Sequence, residues 1–358
     1  MHRPLRHALG LVVVVLVIYV VVLPQVAGPR RALHLLGSVN VAYVVVGVVA
    51  EAGALTAYAC LTGVVILRRR PSLGRLVRID LSTLAVSHVL PAGTVGGAGL
   101  GYRLLTEAGV SGSDAGFAVA TQGIGSALVL NVLLWLALLV SIPQRGFNPL
   151  YGTAAVVGAV GLTGFGLLVA LLVLGESHAD RALRAVARRL PLLREERVAG
   201  LVEQVAARLR ELLRQPRLLG RAVAWAGANW LADAASLWVL LAAFAHRFPS
   251  PVDLLVAYGL ANVLAAIPLT PAGLGVVEWV VPTIMVGFGM TRGAAVLGMV
   301  AWRLVSFWLP IPVGAAAYLS LRLEPGASRA RKLAELNALA LSGAPETEAG
   351  QPADPPDG

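Results

Sequence analysis

The segment Pro268–Glu278 constrains the fold more than any other stretch of this 358-residue chain. It reads Pro-Leu-Thr-Pro-Ala-Gly-Leu-Gly-Val-Val-Glu, so two prolines and two glycines interrupt an apolar region, and a carboxylate follows within one helical turn. Hydrocarbon offers no hydrogen bonds to an interrupted backbone, which survives only where protein buries it or where it lines a watery cavity. The Glu278 carboxylate is expensive in the same surroundings and is therefore a candidate functional group.

The apolar surroundings of this segment are typical of the whole chain. It is 57% hydrophobic and 13% charged, with a mean hydropathy of +0.77, whereas globular domains carry roughly 25% charged residues. This composition predicts an all-α, polytopic membrane helix bundle. The net charge of +10 comes mainly from arginines between apolar runs. That arrangement favours cytoplasmic loops and anionic lipid headgroups as contacts, and it does not favour nucleic acid.

Six apolar runs are long enough to be full spans: about 8–27, 38–67, 114–142, 150–174, 218–244 and 293–321. Two further segments, Asp80–Ser113 and Val252–Thr291, contain prolines and clustered glycines, which interrupt helices. The basic stretch 178–217 has apolar residues at helical spacing, typical either of a solvated cytoplasmic helix pair or of a pair lying on anionic lipid. Residues 323–358 are rich in Pro, Glu, Ala and Gly and predict a mostly disordered cytoplasmic tail.

The two broken segments resemble each other. Pro91-Ala92-Gly93 and Gly109-Val110-Ser111 are echoed by Pro271-Ala272-Gly273 and Gly289-Met290-Thr291. The offset that takes position 91 to position 271 is the same at all six matched positions. This constant offset indicates an internal duplication. It divides the integral membrane domain, residues 1–322, into a first repeat of about 8–142 and a second of about 150–322.

The positive-inside rule gives the two repeats opposite orientations. Arginine clusters place three regions in the cytoplasm: 68–78, 178–217 and 322–332. Two spans lie between Asp114 and Leu174, and the stretch 178–217 that follows is cytoplasmic, so Asp114 also lies on the cytoplasmic side. The first broken segment, which follows the cytoplasmic cluster 68–78, therefore begins and ends inside. By the same count, the second begins and ends outside. The sequence therefore predicts about six full spans plus two re-entrant helical hairpins in an inverted repeat, with both termini cytoplasmic. The alternative is that each broken segment crosses the membrane fully, as a pair of kinked spans. The opposite orientations of the two repeats are then unchanged.

The Pro268–Glu278 motif, with Arg303 and Gly314 after it, resembles the signature of the lysylphosphatidylglycerol synthase transmembrane-region family. The stretch from Pro91 to Gly109 is similar to that family's first glycine-rich segment, and the resemblance covers about residues 8–322. It implies a flippase-like membrane domain. The family's aminoacyl-transfer chemistry belongs to a separate soluble domain, which we do not expect after Glu324.

Two departures from the family's pattern bear on the site. Ala272 stands where a glycine is usual. The constant offset pairs Gly123 with Arg303, and many relatives carry an arginine at the position of Gly123. The second departure weakens the expectation of a headgroup held by two equivalent arginines.

An anionic headgroup suits the residues around the two breaks. Half-helices that begin after Pro91 and Pro271, near Gly93, Gly273 and Gly275, point free N–H groups inward, which suits a phosphate. Arg303, with Arg103 as a second candidate, can pair with that phosphate through two hydrogen bonds. Glu278 then either offsets the arginine when the site is empty, or forms a purely structural ion pair with it.

Of four further polar residues, Glu51, Asn229 and Asp233 lie inside predicted spans and Asn262 lies inside the second broken segment. Glu51 is either a buried, neutral, hydrogen-bonded acid or a group on the substrate or proton path. For Asn229, Asp233 and Asn262 we expect hydrogen bonds between helices.

The sequence does not favour an enzyme. His88 and His246 are the two histidines near membrane depth, and His88 adjoins Ser87, which places the two on different faces of a helix. No His-Glu-x-x-His motif or acidic cluster predicts a metal, and we expect no cofactor. We therefore predict a translocase of phospholipid or polyprenyl-linked lipid in the bacterial cytoplasmic membrane. The alternative is a non-catalytic partner or scaffold of an envelope-biosynthesis enzyme.

Overall fold

The structure is a computed structural model that describes residues 39–66, 69–90, 93–145, 211, 214–245, 248–265 and 273–324, with single positions between 152 and 164. The first predicted span, much of the fourth, most of the basic stretch 178–217 and the predicted tail lie outside the described residues. Pro91 and Pro271 lie outside them as well. The predictions made for these parts stay predictions.

The described residues form ten α-helices and contain no strand. Their bounds are α1 Val41–Val65, α2 Leu73–Val89, α3 Gly93–Glu107, α4 Gly112–Ala120, α5 Ser126–Arg145, α6 Pro216–Ala245, α7 Pro251–Ala265, α8 Val276–Gly287, α9 Arg292–Arg303 and α10 Pro310–Leu323. Two π-helical turns, Thr121–Gly125 and Leu304–Trp308, join α4 to α5 and α9 to α10.

Four helical segments among the described residues are long and apolar enough to cross a membrane: Val41–Val65, Gly112–Ser141, Pro216–Ala245 and Arg292–Leu323. They confirm the predicted all-α membrane bundle. The helices of the broken segments are shorter: α2, α3, α7 and α8 contain 17, 15, 15 and 12 residues. At 1.5 Å per residue each is about 18–26 Å long, less than the ~30 Å of hydrocarbon. The count of six spans and the re-entrant hairpins stay predictions.

Helices α1 and α6 run antiparallel and pack closely through the centre of the bundle. Gly47, near the start of α1, leaves room for Leu240, near the end of α6. Ser236 Oγ donates to Gly47 O at 2.9 Å, and Asn229 Nδ2 donates to Ala54 O at 3.0 Å. Small residues and polar bonds of this kind replace the hydrophobic driving force that lipid does not supply.

Three apolar clusters lie around this central pair. One is built from α5, α7, α8 and α9 with the second half of α6. Another is built from α1, α2, α3 and α4, with two residues of α6 and one of α10. The third joins the end of α6 to α9. In addition, α2 packs against α10 and α7 packs against α5. Each broken segment therefore contacts the last helix of the opposite predicted repeat.

Glycines make these contacts close. The first broken segment is not one continuous helix, as its prolines and glycines predicted: α2 ends at Val89 and α3 begins at Gly93. Within α3, some of the glycines face α2: a Cβ at Gly97 falls on Ser87 Oγ and lies 2.9 Å from Thr83 O. On α10, a Cβ at Gly314 collides with Leu81 O. Small residues at helical spacing are typical of close helix pairs in membranes.

The two broken segments end in matching turns. Gly109 has a φ of +88° and Gly289 a φ of +91°, a region that favours glycine. In each turn the N–H of the next residue donates to the carbonyl five residues before it, at 3.1 Å in the first and 3.0 Å in the second. The positions in the two turns are related by the constant offset found in the sequence.

Candidate functional site

Arg303 lies at the end of α9, directly before the second π-helical turn. Its Nε is 2.7 Å from Glu278 Oε1, in the first turn of α8. The other carboxylate oxygen, Oε2, accepts the N–H of Gly275 at 2.7 Å, and Gly275 has a φ of +87° that places its N–H at the start of α8. Glu278 therefore joins the arginine to the N-terminus of a broken helix.

The guanidinium of Arg303 is buried but not fully partnered. The side chain is 11% exposed, and its Nη2 has no hydrogen-bond partner among the described residues. Nε, although close to Glu278, is not aimed at it as a hydrogen bond. The rings of Trp302 and Phe307 lie 5.3 and 5.4 Å from its Cζ, within the range of cation–π attraction. A buried cation with spare donors is able to accept an anion.

The first broken segment reaches the same place through His88, in the last turn of α2. In the π-helical turn, Leu309 N donates to Leu304 O at 2.8 Å, five residues back. His88 Nδ1 donates to Phe307 O of this turn at 2.9 Å, and the His88 ring stacks on the Phe307 ring at 4.2 Å. The two broken segments therefore meet on either side of Arg303.

A buried acid, Asp233 on α6, lies behind the arginine. It accepts hydrogen bonds from Tyr258 Oη at 2.6 Å and from Trp302 Nε1 at 2.7 Å. Glu51 of α1 and Arg303 of α9 both lie within electrostatic range of its carboxyl. Helices α1, α6, α7, α8 and α9 are joined by one continuous polar network.

The structure brings part of the predicted site together. Glu278, Arg303 and Gly275 are in contact, and Gly273, with a φ of +69°, turns the chain next to Ala265 at the end of α7. Glu51 joins them through Asp233. Glu51 is buried, and the two expectations for its role stay predictions.

Two predicted residues lie apart from this cluster. Gly93 begins α3, where a Cβ collides with Ser87 O, so it serves the packing of α3 on α2. Arg103 is 60% exposed and pairs with Glu107 at 2.9 Å, one turn along its own helix. The structure therefore does not place Arg103 beside Arg303 as a second headgroup ligand.

The sequence analysis missed three members of the cluster: His88, Tyr258 and Trp302. It expected Asp233 to hydrogen-bond a neighbouring helix, which it does, but did not include it in the site. The signal was present, since an acid inside a span is a candidate functional residue in general. Tyr258 and Trp302 carry no such signal, because aromatic residues in spans are common.

A second buried acid is fully partnered. Asp80 on α2 accepts hydrogen bonds from Gln122 Nε2 at 2.9 Å and Thr62 Oγ1 at 3.1 Å. The constant offset pairs Gln122 with Trp302, so the matching positions of both repeats donate to a buried acid. No three of the described His, Cys, Asp and Glu residues are grouped so as to hold a metal ion.

Comparison with known proteins agrees with this architecture. Inner membrane protein YbhN of Escherichia coli strain K12 is 28% identical over 113 residues, which is 32% of this chain. The match spans 33% of YbhN, about a third of its length. The family model described as the lysylphosphatidylglycerol synthase TM region matches residues 7–314. This confirms the resemblance read from the motif: the chain is a membrane protein that belongs to the lysylphosphatidylglycerol synthase transmembrane-region family.

Proposed function

We propose that this chain moves phosphate-bearing lipids across the bacterial cytoplasmic membrane, with the phosphate held on Arg303 between the two broken segments. The observation that carries the proposal is the buried guanidinium, whose Nη2 has no partner among the described residues. An unsatisfied charged donor in hydrocarbon is costly unless a ligand completes it. The helix N-terminus beside it suits an anion better than a cation.

The physical task is to replace the water around a headgroup over ~30 Å of hydrocarbon. An arginine does this for a phosphate with two parallel hydrogen bonds, which a lysine cannot supply. Glu278 balances the arginine while the site is empty. When a phosphate arrives, Glu278 still has the N–H of Gly275 as a partner, so it releases the arginine without being left unpaired.

The arrangement of the helices supports an inverted repeat. Helices α1 and α6 occupy equivalent positions under the constant offset, and they run antiparallel, as an in-plane two-fold axis requires. The same axis relates the contact of α2 with α10 to that of α7 with α5. Inverted repeats with broken helices that meet near the midplane are the recurring plan of alternating-access transporters. The short helices of both broken segments favour re-entrant hairpins.

Cysteine accessibility tests the opposite orientation of the two hairpins. Ser111 and Thr291 are exposed, begin equivalent helices and match each other under the constant offset. In a Cys60→Ser background, we expect a cysteine at 111 to react with an impermeant maleimide from the cytoplasm and one at 291 from outside. Reaction of both from the same side contradicts the inverted repeat.

Lipid movement is tested by reconstitution into vesicles of phosphatidylethanolamine and phosphatidylglycerol. Fluorescent phosphatidylglycerol, phosphatidylcholine and a polyprenyl phosphate are added in separate arms, and an impermeant quencher measures transfer between leaflets. All three carry a phosphate, so the arms show which lipid the site accepts. We expect Arg303→Lys to slow the accepted lipid about 10–100-fold, the loss that corresponds to one charged hydrogen bond.

The matched control is Arg292→Lys, at the exposed start of the same helix. We expect it to transport as the unchanged protein does. Equal rates for Arg303→Lys and Arg292→Lys contradict a headgroup site at Arg303. If no lipid moves in any arm, translocation itself is contradicted and the scaffold alternative takes its place.

A further inference from the structure

The carboxyls of Glu51 and Asp233 meet inside the bundle without a cation of their own. Glu51 is 6% exposed and lies near the middle of α1, and Asp233 lies on the facing turn of α6. The register of the α1–α6 contact, in which Gly47 meets Ser236 and Ala54 meets Asn229, sets Glu51 beside Asp233. Two buried carboxylates side by side repel each other, so binding of one proton stabilises the pair.

The two acids differ in how well they are partnered. Both oxygens of Asp233 are engaged, one with Tyr258 and one with Trp302. Glu51 Oε2 is buried and has no hydrogen-bond partner among the described residues. Ser236, also next to Glu51, donates its hydroxyl hydrogen to Gly47 O. Glu51 Oε2 is therefore the oxygen of the pair at which a proton can bind.

The acids face a definite set of charged and titratable groups. Tyr258 of α7 donates to Asp233, and Arg303 of α9 lies within electrostatic range of it. Glu278 of α8 and His88 of α2 reach the network through Arg303. The network thus holds three carboxyl groups and one guanidinium. Buried charges of like sign cannot all stay ionised, so a proton is part of the arrangement.

We propose that the Glu51–Asp233 pair is a proton-binding site, and that a proton and an anionic headgroup cross the membrane together. A phosphate on Arg303 adds negative charge one residue from Trp302, the side chain that bonds Asp233. Added negative charge favours proton uptake by the pair, and by linkage a bound proton favours the phosphate. The proton enters from water with the headgroup and returns to water when the headgroup leaves.

This proposal rests on lipid translocation at Arg303 and adds its energy source. The same chemistry predicts movement without net charge: one negative headgroup and one proton. A pH difference across the membrane then drives the lipid toward the alkaline side.

The test uses the vesicles described above with a pH difference of one unit and fluorescent phosphatidylglycerol as the probe. One proton per headgroup corresponds to a steady-state ratio between leaflets of up to about tenfold. We expect a ratio near that value in the unchanged protein and a ratio of one in Glu51→Gln and Asp233→Asn. The control Glu107→Gln, a carboxyl of an exposed ion pair, is expected to keep the full ratio.

A second measurement needs no transport. Infrared difference spectra in detergent should show one protonated carboxyl gained when short-chain phosphatidylglycerol is added, and Glu51→Gln should lose that band. Lipid movement with a ratio of one in the unchanged protein overturns proton coupling and leaves translocation standing. No carboxyl band on addition of the lipid overturns it as well. Absence of all lipid movement overturns translocation, and the coupling with it.

Discussion

The ion pair between Glu278 and Arg303 permits a prediction that separates stability from transport. Glu278→Gln leaves the buried guanidinium without a contacting carboxylate. Breaking a buried pair on one side costs about 3–5 kcal/mol. Glu278 is 30% exposed, and Asp233 stays within electrostatic range of the arginine, which places the expected loss near the lower end, about 3 kcal/mol. Glutamine keeps an acceptor for Gly275 N, so the start of α8 contributes little to this loss.

Arg303→Gln should cost a similar amount, about 3 kcal/mol, because it leaves three carboxyl groups without their cation. The double variant should lose less than either single one, about 2 kcal/mol, since no charge is then stranded and mainly the contacts with Trp302 and Phe307 are lost. It should nevertheless fail to move lipid, because the phosphate has lost its partner.

The measurement is reversible unfolding in mixed detergent micelles, with thermal unfolding as a check and vesicle transport in parallel. The pair Arg103–Glu107 is a matched control: it has the same chemistry but is 60% and 31% exposed. Its removal should cost less than about 0.5 kcal/mol. The reasoning is refuted if Glu278→Gln costs no more than Glu107→Gln. Recovery of transport in the double variant would mean that the pair is scaffolding only.

Two further predictions concern glycines. Gly97→Ala should destabilise the protein by about 2 kcal/mol because its methyl group meets Ser87. Gly99→Ala, with open space around it on the same helix, should be neutral or stabilising by up to about 1 kcal/mol. The free energies of unfolding of the two variants test this difference. Gly109→Ala and Gly289→Ala should each cost about 1 kcal/mol, since both need the left-handed region and neither meets a clash. Clearly unequal costs would contradict equivalent turns.

Much of the fold was predictable from composition and pattern. Long apolar runs predicted α1, α6 and the segments 112–141 and 292–323 to within a few residues. The constant offset between the two broken segments predicted matching turns at Gly109 and Gly289. Both signals depend on local physics: a helix needs enough apolar length to cross, and a left-handed turn needs glycine.

The glycines of the first broken segment were predictable in part. The segment is not one continuous helix, as predicted, since α2 ends at Val89 and α3 begins at Gly93. Within α3, Gly97 and Gly101 line the face that packs on α2, where any side chain meets Ser87 or Thr83. This packing role was not predictable, because periodicity alone does not reveal which helix the glycines face.

The site was predicted only where its residues carry a rare signal. A carboxylate and an arginine inside apolar segments stand out, and Glu278 and Arg303 do contact each other. His88 was not predictable, since its contact is with a carbonyl in a π-helical turn 219 residues away. Arg103 was proposed on its charge, but its contact with Glu107 on the same helix was the simpler outcome of the i, i+4 spacing.

The most direct test of the headgroup site is an experimental structure of the protein in nanodiscs of phosphatidylglycerol. We expect density for a lipid phosphate within hydrogen-bond distance of Arg303 Nη2, between α8 and the last turn of α2. Lipid density confined to the outer faces of the bundle, with Nη2 bonded to a protein group, would contradict the proposal that Arg303 holds the headgroup.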